Sequence, residues 1–268
     1  MQELLFFLKL FKWGLFLGIF FALSCGLTSP YLILQKNSLF PHAITHLLLL
    51  SLLLLSIFST KLPTPLHFPF LLLLTLLLSS LIHLLVRVLR LFEDTATSLV
   101  TYLSIGVALI LATKTSQYDI TLLNYLFGSL LTVEAINVAE GLLVLILSLG
   151  VFFYYRDGWL TMSIEREVPG INFQKAQFFF LLLITLQTLV GVKLMGVLLV
   201  SSFFVFAPTL SLKISPSFKW VVPLSIFFNL LAVLFGFILS IYLDIPFSAG
   251  AILFMGLYIL LIFWVEKK

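Results

Sequence analysis

The 268 residues are 62% hydrophobic and only 10% charged, with a mean hydropathy of +1.22. Soluble domains carry about 25% charged residues, so the composition excludes a water-soluble globular protein. The formal net charge of +4 does not point to nucleic acid, because in a membrane protein Lys and Arg at helix ends set orientation.

Several apolar runs of spanning length predict helices, not the alternating strands of an outer-membrane barrel. The chain is expected to be all-α, a polytopic bundle of about eight to nine transmembrane helices in a single domain over residues 1–268. Lys9 and Lys12 precede an apolar run ending Ala22-Leu23-Ser24-Cys25, which has the outline of a signal peptide. The run continues to Leu34, so the expectation is a retained first span over Trp13–Leu34. Gly14 and Gly18 form a small-xxx-small surface in it. Cys25 is the single cysteine and excludes an intrachain disulfide.

The second span opens at Asn37-Ser38-Leu39-Phe40-Pro41-His42-Ala43-Ile44-Thr45-His46 and runs to Ser59. Ser38 suits a helix N-cap, and Pro41 falls in the first turn, where its missing N–H costs little. His42 and His46 stand four apart and share one helix face. Two imidazoles at membrane depth are unfavourable unless something there uses them. They either hydrogen-bond neighbouring helices or hold a transition metal, for which this spacing is suitable.

Lys61–His67 reads as a loop with two prolines, followed by a third span over Phe68–Leu89. Glu93-Asp94-Thr95 caps a fourth span, Ala96–Thr113, with Arg90 and Asp94 expected as an i,i+4 surface pair. Asn124–Leu131 is too short to cross, and the fifth span is Ile136–Tyr155. The longest polar stretch, Arg156–Lys175, contains Glu165-Arg166-Glu167-Val168-Pro169-Gly170. A sixth span, Ala176–Val192, leads through Lys193-Leu194-Met195-Gly196 into a run over Val197–Leu212 that Pro208 should kink or partly unwind. Trp220–Leu243 and Ala249–Val265 complete the set, joined by a turn at Asp244. If odd-numbered spans end in the cytoplasm, ten of the fifteen basic residues lie inside. That places the C-terminus and the Arg156–Lys175 loop in the cytoplasm.

Taken in order, several stretches resemble the membrane permease subunit of ATP-binding-cassette importers for zinc, manganese or iron(II). Asn124-Tyr-Leu-Phe-Gly128-Ser-Leu-Leu resembles that family's Tyr-Leu-Phe-Gly segment. Lys193-Leu-Met-Gly196-Val-Leu-Leu is similar to its Lys-Phe-Val-Gly-Ala-Leu run before a proline, here Pro208. Ser38-Leu-Phe-x-x-Ala-Ile-x-His46 resembles its Ser-x-x-Gly-Asp-x-x-x-His signature, and Glu93-Asp94-Thr95-Ala96 its acidic start to a span. Pro41-His42 stands where the family usually has Gly-Asp, Ser98 where it has Gly, and the Glu165–Gly170 loop is shorter than its counterpart.

The resemblance implies the type II importer architecture of vitamin-B12-importer-like permeases, as a homodimer in the cytoplasmic membrane lipid. Separate ATPase subunits would lie on the cytoplasmic side and a metal-binding protein outside. His42 and His46 would contact the transported ion, zinc favoured with manganese or iron possible, and no permanently bound cofactor is expected. Asp94, Gly128, Gly196 and Pro208 would serve structure or pathway, and Glu165, Arg166, Glu167, Pro169 and Gly170 the coupling to the ATPase. The chain contains no Gly-x-x-x-x-Gly-Lys-Ser/Thr, so ATP hydrolysis is expected in a partner, not here. The alternatives are a secondary metal-ion transporter, which usually needs intramembrane carboxylates for coupling ions where this chain is expected to have none well inside a span, and an intramembrane enzyme. No Ser/His or Cys/His set lines up for the latter.

Overall fold

At membrane depth no water is available to backbone groups, so apolar runs of this length close their hydrogen bonds internally as helices. The computed structural model describes residues 11–58, 66–114, 133–164, 173–197 and 199–266, together with Pro63 and Gly128. Among them are the helices α1 (Lys12–Leu34), α2 (Phe40–Phe58), α3 (His67–Leu89), α4 (Glu93–Lys114) and α5 (Ala135–Ile164). There follow α6 (Phe173–Met195), α7 (Val200–Phe203), α8 (Phe206–Ile214), α9 (Phe218–Leu243) and α10 (Phe247–Glu266). Among the described residues seven helices are long and apolar enough to cross a membrane, and two shorter apolar stretches, Phe40–Ser56 and Val200–Ile214, accompany them. The expected all-α polytopic bundle is therefore the fold observed.

Helix α1 is the axis of the bundle and packs against α5, α6, α8 and α9. Its small residues Gly14, Gly18, Ala22 and Gly26 recur every fourth position and are all buried. A Cβ on Gly18 would lie 2.9 Å from Val233 Cγ1, and one on Gly26 would lie 2.7 Å from the Ile226 Cα, so α9 crosses almost backbone to backbone. The Gly14–Gly18 surface read in the sequence is the start of this stripe.

Polar groups bind α1 to its neighbours on the other sides. The Gln187 Nε2 of α6 donates to the Ser24 carbonyl at 2.9 Å and to Ser148 Oγ of α5 at 3.0 Å. Thr28 Oγ1 donates to Gln187 Oε1 at 2.8 Å. All three side-chain partners are fully buried, so one amide ties three helices together. Toward α9, the Ser29 and Ser225 hydroxyls meet at 3.3 Å.

Three sequence expectations are corrected. The Arg156–Lys175 stretch is not a loop throughout, since α5 continues to Ile164 and α6 begins at Phe173. The cause is Trp159, which is fully buried, donates from Nε1 to the Ala176 carbonyl at 3.0 Å and packs on Tyr31 and Phe180. Arg90 and Asp94 are not an i,i+4 pair, because Arg90 (φ 54°) ends α3 in the left-handed region and Asp94 lies in the first turn of the next helix. Ser38 makes no cap, because the turn before α2 closes through the Phe40 amide on the Asn37 carbonyl at 3.0 Å.

The break expected near Pro208 is present and falls before it, between α7 and α8. Proline has no N–H for the carbonyl four residues back and its ring crowds that carbonyl, here Phe204, where the helix is interrupted.

Gln187→Leu removes three hydrogen bonds and takes from the buried Ser148 hydroxyl its partner, while Thr28 keeps its bond to the Cys25 carbonyl. We expect it to cost about 1–3 kcal/mol and lower the thermal unfolding midpoint of the detergent-purified protein, as membrane-buried hydrogen bonds are of that order or below. An unchanged midpoint would mean that apolar packing alone holds α1.

Candidate functional site

Pro41 and the turn at Asn37–Leu39 start α2 so that His42 and His46 fall in its first two turns. Their imidazoles lie edge to face, ring centroids 4.7 Å apart and planes at 84°. His42 is exposed, whereas His46 is only 8% exposed. Thr45 Oγ1 donates to the His42 carbonyl at 2.7 Å. The His46 Nδ1 is buried with no hydrogen-bond partner. An imidazole whose function was to bond a neighbouring helix would have this nitrogen satisfied. The sequence's two alternatives for this ring both remain, and the unfilled nitrogen is the atom on which they differ.

The two rings are neighbours on one helix face, an i,i+4 spacing suited to donating two nitrogens to one ion. Among the described residues no third His, Cys, Asp or Glu joins it. Among the described residues the chain therefore offers two such ligands here, an open set and not a closed structural site. The N-terminal end of a helix also carries partial positive charge, which opposes a cation.

Asp94 is exposed in the first turn of α4 beside Glu93, where carboxylates complement the helix N-terminus. Gly128 and Gly196, far apart in sequence, meet in space. Both have positive φ, 72° and 77°, and a Cβ on Gly128 would come within 2.5 Å of the Met195 carbonyl carbon and 2.6 Å of the Gly196 nitrogen. Gly196 closes α6 through its amide on the Val192 carbonyl at 2.8 Å and turns the chain toward α7. Pro208 is buried in the first turn of α8. Glu165, Arg166, Glu167, Pro169 and Gly170 lie outside the described residues, as does the Asn124–Leu131 segment apart from Gly128.

One contact the sequence reading passed over is the ion pair between Lys193, near the end of α6, and Glu140, in the second turn of α5. Lys193 also lies over the Phe68 ring of α3, 5.4 Å from its centroid. The signal was there: a carboxylate placed inside an apolar helix requires a cation, and Lys193 is flanked by apolar sequence.

A bundle with seven helices long and apolar enough to cross a membrane, among the described residues, defines a polytopic membrane protein. Residues 8–266 match the ABC 3 transport family, and the chain belongs to that family. The chain is similar to the high-affinity zinc uptake system membrane protein ZnuB of Buchnera aphidicola from Acyrthosiphon pisum, at 24% identity over 90% of this chain and 91% of the relative. It is also similar to a probable metal transport system membrane protein of Chlamydia trachomatis, at 24% identity over 99% of this chain and 92% of the relative. Among solved structures, PsaBC from Streptococcus pneumoniae in complex with Fab superposes with a TM-score of 0.82. It shares 20% identity over 96% of this chain and 91% of that one, a likeness of fold.

Gly128→Ala places a methyl against backbone atoms that cannot rotate away, at a φ that L-residues avoid. The expected cost is roughly 1–3 kcal/mol for the backbone strain alone, before any clash. It should appear as loss of monodisperse protein in size-exclusion chromatography, whereas Gly106→Ala, where a Cβ meets nothing within 4 Å, should leave the profile unchanged.

Proposed function

We propose that this chain is the membrane permease subunit of an ATP-binding-cassette importer that carries a divalent transition metal, zinc first, with manganese and iron(II) as further substrates. The observation that carries this reading is the family match over residues 8–266. It is supported by relatives named for zinc uptake and metal transport that align along nearly the whole chain. The permease works as a homodimer, because two ligands per chain become four when two copies face each other across a shared pathway. ATP is hydrolysed by separate subunits that dock on the segment holding Glu165, Arg166, Glu167, Pro169 and Gly170. A metal-binding protein delivers the ion from outside. The C-terminus faces the cytoplasm, on the excess of basic residues assigned to that side.

In this mechanism the metal is substrate and pauses on neutral imidazoles. An ion entering from outside meets the buried His46 first, and the exposed His42, one turn nearer the cytoplasmic end of α2, completes a two-nitrogen step. Protons compete for the same nitrogens, so acidification weakens the step. The secondary-transporter reading loses support from the Glu140–Lys193 pair, which occupies the carboxylate within α5.

The test is uptake of zinc, manganese and iron(II) into proteoliposomes holding the complete complex. His42→Ala/His46→Ala should reduce uptake at least about tenfold while leaving protein assembly intact, the loss expected of two metal-ligating groups. It should also remove the acid sensitivity of what remains. His42→Asp should stay active and move preference toward manganese, since a carboxylate suits that harder ion. Equal uptake by wild type and the double alanine variant would return both histidines to packing, and uptake without ATP would favour a secondary transporter.

Reversing the charges of Glu165, Arg166 and Glu167 together should leave ATP hydrolysis running in the assembled complex while metal uptake stops. If the triple variant transports normally, this segment is a connector and not the coupling contact.

A further inference from the structure

Away from α2, the ends of α1 and α5 and the start of α9 frame a cavity of about 940 Å³. The Tyr31 ring joins the three helices there, packing edge-on against Phe152 of α5 and Phe218 of α9 with centroids 6.1 and 5.3 Å away. Arg156, Asp157, Ser217 and Lys219 line one part of the cavity, its mouth, together with the apolar Leu160, and Leu27, Phe152, Val222 and Ile226, nearer the middle of their helices, line the other, its floor. On each helix the apolar residue lies one or two turns further into the bundle than the polar end: Phe152 beneath Arg156, Val222 and Ile226 beneath Lys219, Leu27 beneath Tyr31. Ile226 is about 10 Å along α9 from Lys219 at 1.5 Å per residue.

Charge at the mouth is unbalanced. Arg156 Nε lies 3.5 Å from Asp157 Oδ1, but both side chains are largely exposed, at 51% and 88%, so this contact does little to neutralise the guanidinium. Lys219 has no ion-pair partner among the described residues. Two cations therefore stand against one carboxylate above an apolar slot at the end of the membrane helices. A free anion would leave the floor unfilled, and a purely apolar molecule would leave the cations unmet. An amphiphile with an anionic head and a hydrocarbon tail satisfies both, and basic pockets between membrane helices select such headgroups.

We propose that this cavity is a binding site for one anionic phospholipid, its phosphate at Arg156 and Lys219 and an acyl chain over Leu27, Phe152, Val222 and Ile226. The bound lipid bridges α5, the helix leading to the segment after Ile164, to α1 and α9. The inference requires only that the bundle sits in a membrane, and its test does not involve metal transport.

The experiment is native mass spectrometry of the purified permease, titrated with phosphatidylglycerol or with phosphatidylcholine of the same acyl chains. With two cationic contacts at the surface, the wild type should retain phosphatidylglycerol at least about tenfold more strongly. Arg156→Gln/Lys219→Gln should abolish the preference, and Arg156→Lys/Lys219→Arg should keep it. Ile226→Trp, which fills the floor, should weaken retention of both lipids. Equal retention of the two lipids by wild type, or a preference that survives Arg156→Gln/Lys219→Gln, overturns the proposal. So does full competition by glycerol 3-phosphate, which would make this a phosphate site alone. Loss of ATPase subunits from the Gln variant with lipid retention unchanged would assign the mouth to a protein interface and overturn it equally. If the Gln pair fails to run monodisperse in size-exclusion chromatography, the Lys/Arg exchange and Ile226→Trp decide the outcome.

Discussion

The Gln187 amide, fully buried between α1, α5 and α6, is the constraint on which the bundle depends. In hydrocarbon an unsatisfied amide is strongly unfavourable, so its donors and acceptor must find Ser24, Ser148 and Thr28. That requirement sets the rotation of α1, and with it the face that its small residues turn toward α9. Apolar contacts alone would select less sharply, because lipid tails compete for Leu and Phe surfaces while nothing in lipid competes for a hydrogen bond. Asn229 is the contrasting case: its amide is buried in α9 beside Cys25, near the Ser29–Ser225 contact, and makes no hydrogen bond to a nitrogen or oxygen among the described residues.

Around this rigid centre the less regular elements gather on α2 and α6. Helix α2 packs against α3, α4, α6 and α7, so it borders the interrupted stretch that follows Gly196. Gly128 and Gly196 bring backbone against backbone at the end of α6, and the Glu140–Lys193 pair lies one turn before it. A helix that ends in a glycine turn, restarts for four residues and breaks again before Pro208 carries fewer helical hydrogen bonds than its neighbours. Non-helical backbone at membrane depth is tolerated only where protein or a water-lined path covers it. The juxtaposition of that stretch with α2 is the feature of this fold best suited to a passage that opens and closes.

The histidine site and the lipid cavity use opposite physical means. In the proposed function, His42 and His46 would meet a cation against the partial positive charge of a helix N-terminus, which keeps binding weak, as passage requires. At Arg156 and Lys219 fixed cations stand over an apolar floor, which suits an occupant that stays. The first arrangement favours exchange and the second residence.

Membrane class, helix number and approximate spans were legible in the sequence because they rest on length and hydropathy, which each segment carries by itself. The histidine spacing, the Gly14–Gly18 surface and the interruption near Pro208 were legible for the same reason: each follows from local helical geometry. The end of α5 was not, since Arg156 and Asp157 look like the start of a loop until Trp159 is seen buried against Ala176. The separation of Arg90 from Asp94 turned on one residue adopting positive φ, which its side chain does not announce. Only the tertiary structure brought Gly128 to Gly196, Glu140 to Lys193, and Gln187 to three helices, and only it left the His46 Nδ1 without a partner. Periodicity says which face of a helix is apolar, but not which helix meets it. That choice is made by close backbone approach and by polar groups that must be satisfied, and both exist only once the chain has packed.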